Sequence, residues 1–259
     1  MRASSKHHPV AIVLLIVIIV LSLLVTAVCA VLYLNPQILE SMKILPENNI
    51  INLLQSKPES EASDPVDDAA YLSQTVFVGD SRTHAMDVYG FVDVSRTIAE
   101  DGLNHKTALT KAFADIGDGY VYTMQQALAI TAPKYVYVGF GINGMSFFSE
   151  EEFFSSYREL IEQIEETCPN AQITILAVYP VSEKFSANNP GMDNATIDAY
   201  NEKLSALADE MGIHYLDAAW ELKNSAGALN PAYSAGDGLH LNADAYDLIF
   251  QVILANKVK

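Results

Sequence analysis

Cysteine is nearly absent from this chain. Its 259 residues include two, Cys29 and Cys168. The first lies in a continuous apolar run and the second in the mixed-polarity remainder. Two thiols so placed are not expected to meet, so the fold must be held by its core rather than by an intrachain disulfide. No Cys/His spacing has the form of a zinc site, and no metal or other cofactor is expected. Basic residues are scarce too: 15 Lys and Arg stand against 32 Asp and Glu, a net charge of −17. Such a surface repels nucleic acid and anionic headgroups, so no nucleic-acid partner is expected. The plainer consequence of the acidity is solubility.

Charge of either sign is missing altogether from residues 10–34, VAIVLLIVIIVLSLLVTAVCAVLYL. At about 1.5 Å per helical residue the run crosses a hydrocarbon core of about 30 Å. Arg2 and Lys6 precede it with no acidic residue, which places the N-terminus in the cytoplasm and everything after the run outside. A cleaved signal peptide ending near Val28-Cys29-Ala30 and a lipoprotein site at Cys29 are the competing readings. Signal h-regions are usually about 7–15 residues, however, and this run is longer. The expected organisation is a cytoplasmic tail 1–9, a transmembrane helix 10–34, a linker 35–70 and an extracytoplasmic domain 71–259. The linker carries Pro36, Pro46, Pro58 and Pro65 and the acidic stretch SKPESEASDPVDDAA, with room for a short helix near residues 50–55. The part after the span has 13 basic against 32 acidic residues, a net charge near −19.

From Thr75 onward, short apolar runs alternate with amphipathic segments. TVFV (75–78), YVYV (135–138), ITILAV (173–178) and IHYL (213–216) read as strands, with a weaker one near 92–98. Continuous apolar runs of this length suit strands buried on both faces of a parallel sheet. Ser149 with Glu152 fits a capping box ahead of a stripe of Phe153, Tyr157, Leu160, Ile161 and Ile164, closed by Pro169. Ile197, Tyr200, Leu204, Leu207 and Met211 form another stripe, stopped by Gly212, and Asn242 caps a last helix. The pattern predicts a three-layer α/β/α sandwich around a central parallel sheet. Ligands of such sheets bind beyond the carboxyl ends of the strands.

Two of those ends and the loop before the last helix carry candidate chemistry. Ser81 follows Val78-Gly79-Asp80 at a strand-to-helix turn, where a hydroxyl projects above the sheet and the N–H lies at a helix start. A serine there is also an ordinary helix cap. Asp237-Gly238-Leu239-His240 places a carboxylate three residues before an imidazole; Asp237 would orient His240, and His240 would act as base toward Ser81. Gly139-Phe140-Gly141-Ile142-Asn143-Gly144 matches G-x-G-x-x-G, but Met145–Phe148 intervene before the next helix cap and the following strand ends without an acid. That speaks against a dinucleotide site. Asn143 reads better as an amide donor to a developing oxyanion.

Taken in order, Gly79-Asp80-Ser81, Gly102, Gly141-Ile142-Asn143 and Asp237-Gly238-Leu239-His240 resemble the four blocks of the SGNH, or GDSL-type, hydrolases. The resemblance spans roughly residues 75–258. It implies a flavodoxin-like SGNH fold and two-step acyl transfer on Ser81, with His240 as base and Asp237 as its orienting acid. It also implies an oxyanion hole of the Ser81 N–H, the Gly102 N–H and the Asn143 amide. Two positions depart from the family pattern: Arg82 stands where the block has leucine, and Gly144 where G-x-N-D has its acid. Arg82, by its charge, and His84, one turn after Ser81, are expected near substrate. His105 is a candidate for the rim and His214 for packing in its strand. Trp220, Phe147, Phe148 and Tyr179 are candidates for the cleft wall, with core packing as their default. G-x-S-x-G in mid-domain, the signature of the other large class of serine hydrolases, is missing.

With the anchor, this implies an extracytoplasmic, single-pass membrane esterase. Its substrate would be a small ester or an acylated glycan, such as O-acetyl groups on surface polysaccharide or peptidoglycan. An acyltransferase using the same triad, an inactive binding module and an envelope scaffold are the alternatives.

Overall fold

The computed structural model describes residues 65–258. The expected membrane span, the cytoplasmic tail, most of the linker and Cys29 lie outside them. Cys168 is buried and free.

Five strands form one parallel sheet: β1 (Thr75–Gly79), β2 (Thr97–Ala99), β5 (Tyr135–Gly139), β6 (Gln172–Leu176) and β7 (His214–Leu216), in the order β2-β1-β5-β6-β7. The alternation within each strand sends side chains to two different layers. Val76, Val78, Val136, Val138, Ile173 and Ile175 join one apolar cluster, and Phe77, Tyr135, Tyr137 and Leu176 join the other. The first cluster is completed by the stripes of two long helices, Glu150–Thr167 and Asn194–Met211. The second is completed by Tyr246, Ile249, Phe250 and Ile253 of the last helix, Ala243–Ala255. This is the three-layer sandwich that the alternation of strands and helices implied.

The end of the acidic stretch belongs to the fold. A helix at Pro65–Ser73 brings in Tyr71, which is buried. Its ring packs 4.3 Å from that of Tyr135, and its hydroxyl is 2.8 Å from that of Tyr137. Lys257 pairs with Asp67 and, at 2.7 Å, with Asp68, so two of the acids that read as spacer bind the C-terminal segment.

The weaker strand is shorter than its pattern, because residues 94–96 make a 3-10 turn and only Thr97–Ala99 pair. A two-stranded antiparallel hairpin, β3 (Ala112–Asp115) and β4 (Val121–Thr123), precedes a helix at Met124–Thr131 with a full capping box between Thr123 and Gln126. At Ser149 the box is half made. The hydroxyl accepts from the Glu152 N–H, but the Glu152 carboxylate pairs with Lys106 instead of reaching back.

Register matters most at the carboxyl edge. Gly79 pairs with Ala99 on one side and Gly139 on the other, so the loops after β1, β2 and β5 leave the sheet at one level. From β1 the chain moves outward to β2, yet β5 sits on the other flank of β1. The order reverses there, which opens a crevice at that edge.

Candidate active site

Four segments distant in sequence converge on this crevice. Asp80 caps a helix at Ser81–Val88, its Oδ1 accepting from the Arg82 N–H at 3.0 Å. Ser81 is therefore the first helical residue, and its N–H is among the donors that a helix start leaves unpaired. The tight turn depends on glycine: a Cβ on Gly79 would stand 2.0 Å from Thr83 Oγ1 and 2.8 Å from the Gly139 carbonyl.

The C-terminal segment arrives on the same edge. The Asp237 carboxylate folds its own loop, Oδ1 accepting from the N–H groups of Leu239 and His240 at 2.8 Å each. Its Oδ2 lies 2.5 Å from His240 Nδ1, and His240 Nε2 lies 3.0 Å from Ser81 Oγ. With a carboxylate on Nδ1, that nitrogen carries the hydrogen and Nε2 is left to accept from the serine. Burial raises the Asp237 pKa, but the His240 side chain and the two backbone donors outweigh it and hold the carboxyl down at about 2.

Asn143 occupies a short helix, Ile142–Met145, after β5. Its Nδ2 donates to Asp80 Oδ2 at 3.2 Å and to the Leu103 carbonyl at 3.1 Å. Both amide hydrogens thus have partners within the protein. Gly102 lies in the exposed turn just before Leu103, at φ +74°.

The residues beside the motifs depart from expectation. Arg82 does not face substrate: it is 3% exposed and its Nη1 donates to the Tyr179 carbonyl at 2.7 Å, beneath the site. The N-cap turn points its side chain inward, and Tyr179 is buried with it. His84 is at the rim, where its Nδ1 lies 2.9 Å from Asp101 and ties the Ser81 helix to the Gly102 turn. His105 is fully buried and not on the rim. Its Nε2 lies 2.9 Å from Ser156 Oγ and 3.1 Å from the Phe153 carbonyl, and burial lowers its pKa to about 4. That ring explains Gly144, where a Cβ would stand 2.8 Å from His105 Cε1 and 3.1 Å from Phe153. The imidazole occupies the space that an acid side chain would need. His214 is exposed at the edge strand, Trp220 and Phe147 are exposed, and Phe148 packs on the core.

Asp80 is the residue whose importance the motif alone did not reveal, since it joins the serine helix to the Asn143 segment. An Asp before a helix start signals the cap, but the bond to Asn143 depends on β1 and β5 being neighbours. Burial pushes its carboxyl up to about 6 from an ordinary 3.8, against the pull of the Arg82 charge. Between those pH values the folded chain holds a proton that the unfolded chain has lost. Its contribution to stability is therefore full below 3.8 and lost as pH rises through about 6. At about 1.4 kcal/mol per pH unit this amounts to roughly 3 kcal/mol. Asp80→Asn cannot titrate. Its stability relative to wild type should rise by up to roughly 3 kcal/mol between about pH 4 and pH 7, whatever the fixed cost of removing the charge beside Arg82. Urea unfolding at both pH values measures this, and a difference that stays constant contradicts it.

Comparison with known proteins places this edge in context. The profile of the GDSL-like Lipase/Acylhydrolase family matches residues 77–248. No curated protein matches the sequence. Among solved structures, a GDSL-like lipase from Bacteroides thetaiotaomicron is 16% identical with a TM-score of 0.54, over 73% of this chain and 92% of that one. A protein of Bacteroides fragilis assigned as an acylhydrolase is 18% identical with a TM-score of 0.54, over 81% of this chain and 95% of that one. At such identities the likeness is one of fold.

Proposed function

Because the chain belongs to the GDSL-like lipase/acylhydrolase family, we propose that it is a serine esterase that removes O-acetyl or other short acyl groups from glycan outside the cell. The observation that carries the chemistry is the relay of Ser81 Oγ, His240 Nε2 at 3.0 Å, and Asp237 on His240 Nδ1. In the proposed reaction Nε2 takes the proton of Oγ as the oxygen attacks the ester carbonyl. The tetrahedral oxyanion forms beside the N–H groups of Ser81 and Gly102. Asn143 exchanges its bond to Leu103 for the oxyanion while Asp80 keeps its other hydrogen. Each such donor contributes roughly 3 kcal/mol to lowering the barrier. His240 then returns the proton to the leaving alcohol, and water releases the acyl group by the same steps.

Two features support hydrolysis of a short acyl ester. The triad is open, with the His240 side chain 41% exposed, so water has access to the acyl-enzyme. Around the triad the bonded groups are polar: Asp80, His84, Asp101 and Asn143. A long acyl chain needs continuous apolar lining. The glycan and the extracytoplasmic site rest on the uncharged run at residues 10–34, with the catalytic segments all after it. A panel of chromogenic esters from acetyl to long acyl, given to the full-length protein, tests the reading. Turnover should be highest for acetyl and fall with chain length. A preference for long chains, or no turnover of any ester, contradicts it.

A further inference from the structure

The loop that carries Asp237 is also one wall of a cleft of about 480 Å³. The other wall is a short helix at Glu183–Asn188, and the two are pinned together. The Ser182 N–H donates to the Gly238 carbonyl at 2.8 Å. A Cβ on Gly238, at φ +83°, would stand 2.2 Å from Ser182 Oγ, so glycine is what permits this approach. The volume falls within the range of about 300–1,000 Å³ typical of ligand pockets.

The lining is mixed in a particular way. Lys184 supplies an ammonium, Ser234 a hydroxyl, and Phe185 and Pro231 apolar surface. The amide nitrogens of Asn188 and Asn189 turn back on their own helix, donating to the carbonyls of Lys184 at 2.7 Å and Phe185 at 2.8 Å. Their side-chain oxygens are left as acceptors on the cleft wall. Donors and acceptors along both walls suit a ligand that carries several hydroxyls. They do not suit an acyl chain, which would leave them desolvated and unpaired. Position adds a constraint. Asp237 is the far end of the relay from Ser81, so a ligand in the cleft lies beside the acid and not over the nucleophile. It can present an ester to Ser81 only through a neighbouring unit of the same molecule.

We propose that this cleft is a glycan subsite, holding one sugar ring of a polymer whose adjacent residue carries the ester. The proposal rests on the glycan-ester reading above. Lys184 and Asn188 are exposed and stand apart from the triad. Lys184→Ala removes the cation and Asn188→Trp fills the space. In the full-length protein both variants should hydrolyse p-nitrophenyl acetate within about twofold of wild type. On chitotetraose carrying O-acetyl esters, kcat/KM should fall about tenfold or more, the loss appearing in KM. Equal losses on both substrates, or none on the oligosaccharide, overturn the subsite. A second measurement does not need catalysis: calorimetric titration of Ser81→Ala with unesterified chitotetraose. Saturable binding that Asn188→Trp abolishes supports the subsite even if wild type turns over no ester, a result that would remove only the hydrolase reading. Absence of saturable binding overturns the subsite.

Discussion

Replacing Ser81 by alanine should lower turnover of a short ester by at least about ten-thousand-fold and leave the folded state in place. The two halves of that expectation have separate causes. Catalysis is lost because Oγ, which stands 3.0 Å from His240 Nε2, is the atom that would form the acyl-enzyme. Folding is kept because the helix start is capped by Asp80 and not by Ser81, and the serine side chain makes one hydrogen bond, to His240. Losing one partly exposed hydrogen bond costs about 1 kcal/mol. The Ser81 N–H also survives the substitution, so the proposed oxyanion donors are unchanged. Initial rates on p-nitrophenyl acetate, with thermal unfolding of the same samples, measure both halves. A rate near wild type contradicts the nucleophile assignment, whereas a collapsed unfolding transition would mean that Ser81 is structural.

His240→Ala should bring a loss of similar size, and the Ser81→Ala/His240→Ala double variant should be no worse than either alone. Groups that act on one proton are not additive: once the hydroxyl has no base, removing the hydroxyl takes away nothing further. The His240 backbone stays where it is, because its N–H donates to Asp237 Oδ1 and its carbonyl accepts from the Ala235 N–H, and neither bond uses the ring. The Asp237 carboxylate left behind is about half exposed and can be solvated by water. Losses that multiply in the double variant would show that the two side chains act in separate steps, and the relay would have to be abandoned.

The sheet and its edge were legible because their signals are local. TVFV, YVYV and ITIL are uninterrupted apolar runs, and each becomes a strand buried on both faces. Gly79 and Gly139, after the first two, mark where the chain turns over the carboxyl edge. Ser81 and His240, read from separate sequence blocks, lie within hydrogen-bond distance in the fold, as do His240 and Asp237. What escaped depends on neighbours far apart in sequence. Arg82 reads as a surface cation, yet its helix presses it against Tyr179, 97 residues away. His105 reads as a loop histidine beside a glycine, yet Phe148, Phe153 and Tyr157 enclose it with centroid distances of 4.4–5.7 Å. The absent acid at position 144 and that buried ring are two sides of one packing solution. Only the pairing of β1 with β5 brings Asp80 to Asn143. The hairpin at residues 112–123 was missed because Asp115, Gly117, Asp118 and Gly119 interrupt any alternation that would announce it.

The most direct test of the central claim is covalent capture of the nucleophile. A fluorophosphonate probe reacts with a serine whose proton has a base to go to. Incubated with the full-length protein and followed by peptide mass spectrometry, it should leave one adduct, on Ser81, that forms far more slowly in His240→Ala. No adduct, an adduct on another serine, or a Ser81 adduct whose rate ignores His240 would contradict it.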